Sequence, residues 1–525
     1  MTNIKIASFL DKFSFSCFQY ESNTIPLTKK NWHETLTLEK PDLLLVESTW
    51  DQVNRKLISS YLKSIIKKCH DQQIPTVFWN KEDPYHFDKF IHEAKFFDYI
   101  FTTDLNCVPR YQKKLGHNRI FILPFAAQPK LYNPIGKDQE KLGTIAFAGT
   151  WYPFRTERGR DMHDLLGPAL KYGLHIYDRN YNTRPGLYPD LYHPCIKGWV
   201  PYEQLGSIYK KYYICLNINT VKNSHTMFAR RVFELLACGV AVVSNYSPGI
   251  MEMFPGVVSI CNTKEETEKY LAELIADKNL RDKRALLGQR KVFAAHTYYH
   301  RMQTILNAIG FTPVRSDPEG VSIITWVDSC SQLENIRENF QRQKYDKKEL
   351  ILILRIPDNN KLEVFYERTV NCSNISVFEF DGVISNDDCL IFGLKHAHYN
   401  CIAWFDSNSY YGADFLTDLM NAFKYTDAEI VGKATYYSYS AESCSLEINC
   451  PEQEYRYVNR ILSTAAIFKR ELLQRKDWVE LLLADDGLLS DPAEEIKLFA
   501  GDRFNFIHED YPAELSQRLI DEVCL

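Results

Sequence analysis

No stretch of this 525-residue chain approaches the roughly 18 consecutive apolar residues that a membrane-spanning helix requires. A secretory leader is also missing on this reading, because Asp11 and Lys12 interrupt the place where an apolar core would run. The 14 cysteines include no C-x-x-C pair and keep no regular spacing, which excludes the common zinc and redox signatures. Cys215, Cys238 and Cys261 lie among apolar neighbours and read as reduced core thiols. A strong charge imbalance is absent too. The formal net charge of −5 gives no general polyanion-binding surface, so nucleic acid is not an expected partner. Short-period repeats and low-complexity segments are also lacking. These absences together point to a soluble cytoplasmic protein without a membrane span.

What is present is ordinary globular material, 45% apolar and 25% charged, enough for about two to four domains. The 32 tyrosines, 31 phenylalanines and 8 tryptophans mostly serve cores, although carbohydrate sites also use aromatic faces. Apolar runs alternate with helical spacing through the first part of the chain. Strands are expected at 4–10, 41–48, 74–79, 97–103 and 119–126, with a helix over 54–69 on Leu57, Tyr61 and Ile65. A second series starts at "GTIAFAGT" (143–150) and continues at 173–178, 212–219, 239–245 and 257–261, followed by mostly helical sequence over 264–310. Strands alternating with helices in this way predict parallel α/β layers. "TPVRSDPEG" (312–320), with two prolines and a glycine, marks a domain boundary. A third α/β unit opens at "VSIITWV" (321–327), with further strands at 349–354 and 401–406.

In open parallel sheets, ligands gather beyond the carboxyl ends of the strands. After "TIAFAG", the turn at Gly149 leads to Arg155, Arg158 and Arg160. Glycine lets backbone approach a phosphate, and arginine offers a fork of donors to its oxygens. A solvated basic face would read the same way. In "NSHTMFARRVFELLACGVAVVS" (223–244), Ser224 or Thr226 is expected to cap a helix that Gly239 stops. Phe228, Val232, Leu235 and Leu236 would be buried, leaving Met227, Arg230, Arg231 and Glu234 on the other face. The helix amino terminus and its arginines suit a pyrophosphate, and Glu234 suits a ribose diol. An amphipathic helix with an exposed salt bridge is the competing reading.

"RVFELLACGVAVVS" resembles the nucleotide-sugar-binding helix of GT-B glycosyltransferases. "VES-W", "FWNKEDP", "FDYIFTTD", "FAGTWYPFR-ER", "IYDRN" and "TMFARRVFELLACG" resemble the spore-maturation, CgeB-like branch, in order, over roughly residues 1–310. The resemblance implies two Rossmann-like GT-B domains, 1–138 on the acceptor side and 139–311 on the donor side. It implies a nucleotide-sugar donor, with UDP the usual nucleotide, and a surface or spore polysaccharide, glycolipid or protein acceptor. Gly149, Arg155, Arg158, Arg230, Arg231, Glu234 and Thr226 are the implied donor-binding residues. The wider pattern has a second glutamate where this chain has Thr226, so sugar recognition departs from the general case. No cofactor is required in the GT-B module, and the oligomeric state stays open.

The resemblance also bears on "FWNKEDPYHF" (78–87), where a buried strand runs straight into Lys81, Glu82, Asp83 and His86. In a GT-B fold these residues, with Glu47, sit at strand ends facing the donor. Glu82, Asp83 and Glu47 are then catalytic candidates, since an acceptor hydroxyl must lose a proton as it attacks. The alternative is a turn in which Asp83 caps a helix that Pro84 starts.

The segment 320–525 resembles a family 2, GT-A-like transferase. Its metal segment keeps Asp406 but continues with Ser407, Asn408 and Ser409, where active members carry acidic pairs for a divalent cation. "LLSDPAEEIKLF" (488–499) is the nearest candidate for the base segment. The domain therefore reads as degenerate, kept for acceptor binding or assembly, with Asp406 its one metal candidate. A non-catalytic carbohydrate-binding protein and a bifunctional transferase are the alternatives for the whole chain.

Overall fold

The computed structural model describes residues 2–48, 60–137, 139–311, 319–355, 374–380, 384–474, 487–490, 496–508 and 516–525. The expected helix start at 54–59, linker residues 312–318 and positions 491–495 of the candidate base segment lie outside the described residues, as does Trp50 of "VES-W". The chain divides into two compact units, Met1–Val314 and Arg315–Leu525.

The first unit holds two parallel sheets. The first runs through β1 (Thr2–Phe9), β2 (Ser22–Pro26), β3 (Leu43–Glu47), β4 (Thr76–Asn80), β5 (Tyr99–Thr102) and β6 (Ile120–Ile122), ordered β2-β1-β3-β4-β5-β6. All five pairings are parallel. Residues of β3 and β4 are buried along their whole length, as strands covered on both faces must be. β2 was not expected. Its Ser-Asn-Thr-Ile-Pro sequence has weak apolar character, and it pairs as an edge strand, where proline costs no ladder bond.

The second sheet contains β7 (Gly143–Gly149), β8 (Leu174–Asp178), β9 (Ile196–Gly198), β10 (Tyr212–Asn217), β11 (Ala241–Asn245) and β12 (Ser259–Cys261). Its order is β12-β11-β10-β7-β8-β9, again all parallel. Counted within this layer, that is the doubly wound 3-2-1-4-5-6 order, which reverses between β7 and β10. Three helices follow, Lys264–Ala276, Lys278–Ala295 and Tyr298–Ala308. The last returns to the first layer. Ala127 bridges Thr297, and Arg301 donates to the carbonyls of Pro124 at 2.8 Å and Phe125 at 2.7 Å.

The second unit is also α/β, but its main sheet is mixed. Ile375–Glu379, Lys348–Leu354, Val321–Val327 and Cys401–Trp404 pair in parallel. Ala466–Lys469 then runs antiparallel beside Cys401–Trp404, and Ile430–Gly432, Leu498–Ala500 and Arg456–Val458 complete the eight strands. Trp326 and Trp404 stack in its core with centroids 5.0 Å apart.

One core residue in the first layer gives a pH test. Glu93 is buried on the helix Phe87–Ala94, and its Oε1 has no hydrogen-bond partner. Burial pushes its pKa up to about 8. The folded state then holds a proton that the unfolded chain releases above the ordinary carboxylate range. Stability from this group is complete below that range and lost as pH rises through 8. Glu93→Gln should therefore raise the Tm more at pH 8.5 than at pH 5, measured by calorimetry. Equal shifts at both would show that Glu93 ionises normally in the fold.

Candidate functional site

The switch point of the second sheet carries a cavity of about 460 Å³. Gly149 ends β7 at its rim. A Cβ there would lie 2.6 Å from the Phe147 ring and 3.3 Å from Arg231 Nη2, so only glycine admits this close approach. Arg158 comes from the helix Thr156–Ala169 and is buried. Its Nη1 donates to Ile218 O at 3.3 Å and Thr220 Oγ1 at 3.4 Å, and its Nη2 to Thr150 O at 3.4 Å. Its buried Nε has no partner. Burial and the nearby Arg231 lower its pKa to about 10. Arg231 donates to Asn217 Oδ1 at 3.4 Å and lies over the Phe147 ring. Of the four arginines that line the cavity, Arg158 and Arg231 form no ion pair among the described residues.

The helix behind the cavity differs from expectation. It spans Arg231–Ala237 rather than starting at Ser224 or Thr226. Side chains occupy the backbone donors that would have extended it. Ser224 Oγ accepts from Met227 N at 2.9 Å, and Asn219 Oδ1 accepts from Ala229 N at 3.0 Å. The polar outer face also fails to form. Val232 through Ala237 are all buried, Glu234 being 2% exposed. Glu234 Oε1 accepts from Arg230 Nε at 2.7 Å, which makes a buried ion pair rather than an exposed one. Glu234 still lines the cavity, and among the described residues the one hydrogen bond of its side chain is that of Oε1. Arg230 in turn stacks over the Phe13 ring of the first layer, 3.3 Å from the centroid.

Thr226, an expected donor residue, faces the first layer instead. Its Oγ1 donates to Thr103 O at 2.8 Å and accepts from Leu105 N at 2.9 Å. Beside it, Ser224 Oγ donates to Asp104 Oδ1 at 2.6 Å, and Asn106 Nδ2 donates to Asn223 O at 3.2 Å. The loop 223–226 is a docking segment between the two layers. Arg155 lies outside the cavity lining and rests on aromatic rings at its mouth, 4.3 Å from the Tyr85 centroid.

The catalytic candidates of the first layer separate into distinct environments. Glu47 is buried at the end of β3 and does not face open space. It accepts from Asp11 N and pairs with Lys81 Nζ at 2.9 Å, while burial raises its pKa. Lys81 also binds Asp11 Oδ2 at 2.5 Å. Asp83 is fully buried. Its Oδ1 accepts from Asn80 Nδ2 at 2.7 Å and its Oδ2 from Thr102 Oγ1 at 2.6 Å. Burial lifts its pKa to about 7. It caps no helix, since the next one begins at Phe87 with His86 in the cap position. Asp83 thus supports the loop from within. Glu82 is half-buried, and its carboxylate makes no hydrogen bond among the described residues. Its charge reaches His86, whose pKa is lowered by burial and by Lys89 and Arg155.

Several lining residues were not foreseen: Tyr152, Tyr177, Arg179, Trp199 and Tyr202. Tyr177 and Arg179 flank the carboxyl end of β8, so the strand-end rule contained the signal for them. Trp199 and Tyr202 sit in loops that no local pattern links to the cavity.

In the second unit, Asp406 follows Cys401–Trp404. Its Oδ2 accepts from Ser409 Oγ at 2.6 Å and from Asn408 N at 3.2 Å, closing its own turn. Among the described residues, no group of three His, Cys, Asp or Glu side chains gathers for a metal ion. This donor set does not fit a hard divalent cation, which wants several oxygen ligands.

Residues 158–307 match the family model described as glycosyl transferase-like. The resemblance to the CgeB-like branch rests on a named relative as well. The chain is 23% identical over 243 residues to spore protein CgeB of Bacillus subtilis (strain 168), covering 44% of this chain and 74% of the relative. Among solved structures, Anabaena Alr3699/HepE, determined in complex with UDP and glucose, gives a TM-score of 0.39 at 12% identity, over 58% of this chain and 91% of that one. A mutant of T4 phage BGT in complex with UDP-glucose gives 0.41 at 13% identity, over 59% and 100%. Among the described residues, no helix is long and apolar enough to cross a membrane.

The docking loop yields a stability test. Ser224→Ala removes a hydrogen bond to the buried Asp104 carboxylate and the acceptor for Met227 N. Urea unfolding should show a loss of about 1.5–3 kcal/mol, the scale of hydrogen bonds to charged groups. A change within a few tenths would mean the loop contributes nothing to holding the layers together.

Proposed function

We propose that the first unit transfers a glycosyl group from a nucleoside diphosphate sugar to a glycan, glycolipid or protein acceptor. The observation that carries this reading is the cavity at the switch point, with the partnerless, buried Arg158 Nε and Arg231 on its wall. Two guanidinium groups without a carboxylate partner suit a diphosphate, which can accept from both forks at once. Glu234 Oε2 is the acceptor proposed for a ribose diol. UDP-sugars are the first donors to test.

In the reaction, the acceptor oxygen attacks the anomeric carbon as the bond from that carbon to the diphosphate oxygen breaks. The electron pair leaves with the diphosphate, whose growing charge Arg158 and Arg231 stabilise. The acceptor proton passes to a base, and Glu82 is proposed for it, because its carboxylate is unbonded while Glu47 and Asp83 are buried in structural contacts. Nothing in this scheme uses a metal ion. The buried free thiols Cys17, Cys69, Cys107, Cys215 and Cys238 suit a reducing, cytoplasmic setting. For the second unit we propose a GT-A-like domain retained for acceptor binding or assembly, on the strength of its parallel opening strands and its self-closed Asp406 turn.

A thermal-shift panel of nucleotide sugars tests the donor reading. A ligand at 100 times its Kd adds about 2.7 kcal/mol of stability, so a true donor should raise the Tm clearly. Arg158→Met should weaken that ligand at least about tenfold, the loss of one charge-assisted contact. If no nucleotide sugar shifts the wild type, the donor reading fails. Transfer should persist in EDTA and in Asp406→Ala. Loss of transfer in both would make the second unit the catalyst. Glu82→Gln should bind donor normally and turn over roughly 10²–10⁴-fold more slowly. Full activity would leave Glu82 as a turn residue.

A further inference from the structure

The mouth of the cavity carries an aromatic platform that the donor reading does not use. Phe154 is 76% exposed and Tyr85 58% exposed, although large apolar surfaces are normally withdrawn from water where packing allows. Tyr85 belongs to the first layer; Phe154 and Tyr152 belong to the second. One guanidinium joins all three. Arg155 lies 4.3 Å from the Tyr85 centroid, 5.6 Å from Tyr152 and 5.9 Å from Phe154. Its guanidinium makes no hydrogen bond or ion pair among the described residues, so its N–H donors remain available beside the exposed rings.

Tyr152 connects this platform to the cavity. It lines the cavity wall, its hydroxyl accepts from Arg179 Nη2 at 2.8 Å, and its ring lies 5.8 Å from that of Phe154. A ligand resting on Phe154 and Tyr85 would therefore reach the rim of the cavity directly. Glu82, the proposed base, is three residues from Tyr85 on the same loop, and Arg155 acts on the neighbouring His86.

We propose that Tyr85, Tyr152, Phe154 and Arg155 form the acceptor subsite and that its occupant is a pyranose ring of a glycan chain. The inference rests on the donor reading for its direction, since it seats the second substrate where the cavity opens. The chemistry fits a sugar in two respects. The axial C–H face of a pyranose stacks on an aromatic ring, and its hydroxyls or an acidic substituent accept from a guanidinium in the ring plane. A purely apolar partner would leave the Arg155 donors buried and unsatisfied, which costs free energy. The two-layer origin of the platform adds a consequence. Tyr85 and Phe154 converge on Arg155 only while the two layers keep this arrangement, so acceptor binding favours it. The family resemblance implies that Arg155 binds the donor diphosphate; on this proposal it selects the acceptor.

The test uses the full chain with Phe154→Ala, Arg155→Ala and Phe154→Tyr. Calorimetry measures UDP affinity, and saturation-transfer NMR in the presence of UDP measures binding of cellohexaose, chitohexaose and hexagalacturonate. The expected result is that at least one hexasaccharide binds the wild type. Its affinity should fall about tenfold in Phe154→Ala and in Arg155→Ala, the worth of one ring or cation contact, and survive in Phe154→Tyr. UDP affinity should be the same in all four proteins. Preference for hexagalacturonate would assign Arg155 to an acidic substituent, and equal binding of the neutral chains would assign it to hydroxyls; both support the subsite. The proposal is overturned if none of the three chains binds the wild type, or if binding is unchanged in either alanine variant. It is also overturned if UDP affinity falls with Arg155, which would return that residue to the donor. Should UDP fail to bind the wild type, the donor reading falls, and the oligosaccharide arm still decides the platform.

Discussion

Arg230 is the residue on which the arrangement of the first unit most depends. Its Nε is held by Glu234, four residues on, and its guanidinium plane lies against Phe13 of the opposite layer. Burial opposes the charge of Arg230, but the Glu234 carboxylate outweighs it and its pKa is raised. Such a pair is costly to break, because removing one partner strands the other charge in a medium that solvates it poorly. The pair therefore fixes three things together. It sets where the loop 218–230 ends and the helix begins, it forms part of the cavity wall, and it gives the first layer a flat cation to pack on.

The layers also meet through aromatic rings, Phe13 packing edge-on against Tyr202 at 4.5 Å, and through local polar contacts. Ser224 and Thr226 meet Asp104, Thr103 and Leu105 at the carboxyl edge of the first sheet, and Arg301 ties the final helix to the Pro124–Phe125 backbone. Hydrogen bonds of this kind specify one arrangement of the two layers. Thr226 takes part in this docking through the Thr103 carbonyl and the Leu105 amide.

The two sheets distribute charge differently at their carboxyl edges. The second layer presents guanidinium groups to its cavity, with Arg158 lacking an anionic partner. The first layer gathers Asp11 and Glu47 around the single cation Lys81, and buries Asp83 among Asn80 and Thr102. The residues that follow the buried strand β4 thus have two destinations. Lys81 and Asp83 turn inward to hold the loop, while Glu82 is half-buried and Tyr85 exposed.

The sequence by itself determined the strands and the edge at which the site lies. Apolar runs such as Leu43–Val46 and the largely apolar, wholly buried Val321–Val327 can be satisfied only as doubly covered strands, and glycines and arginines after β7 fall at a carboxyl end by simple alternation. It also carried the family resemblance, because that is written in short motifs. Tertiary structure decided the rest. Whether Glu234 is exposed depends on what packs over its helix, and in the fold it is 2% exposed. Whether Ser224 starts a helix depends on Asn219 and Asp104, which are near only after folding. Arg155 reads as a phosphate ligand from its spacing, but a ring from the other layer, 70 residues earlier in the chain, gives it a different place. Periodicity records which residues avoid water. It does not record which polar groups find one another across a cleft, and in this chain those meetings set the chemistry.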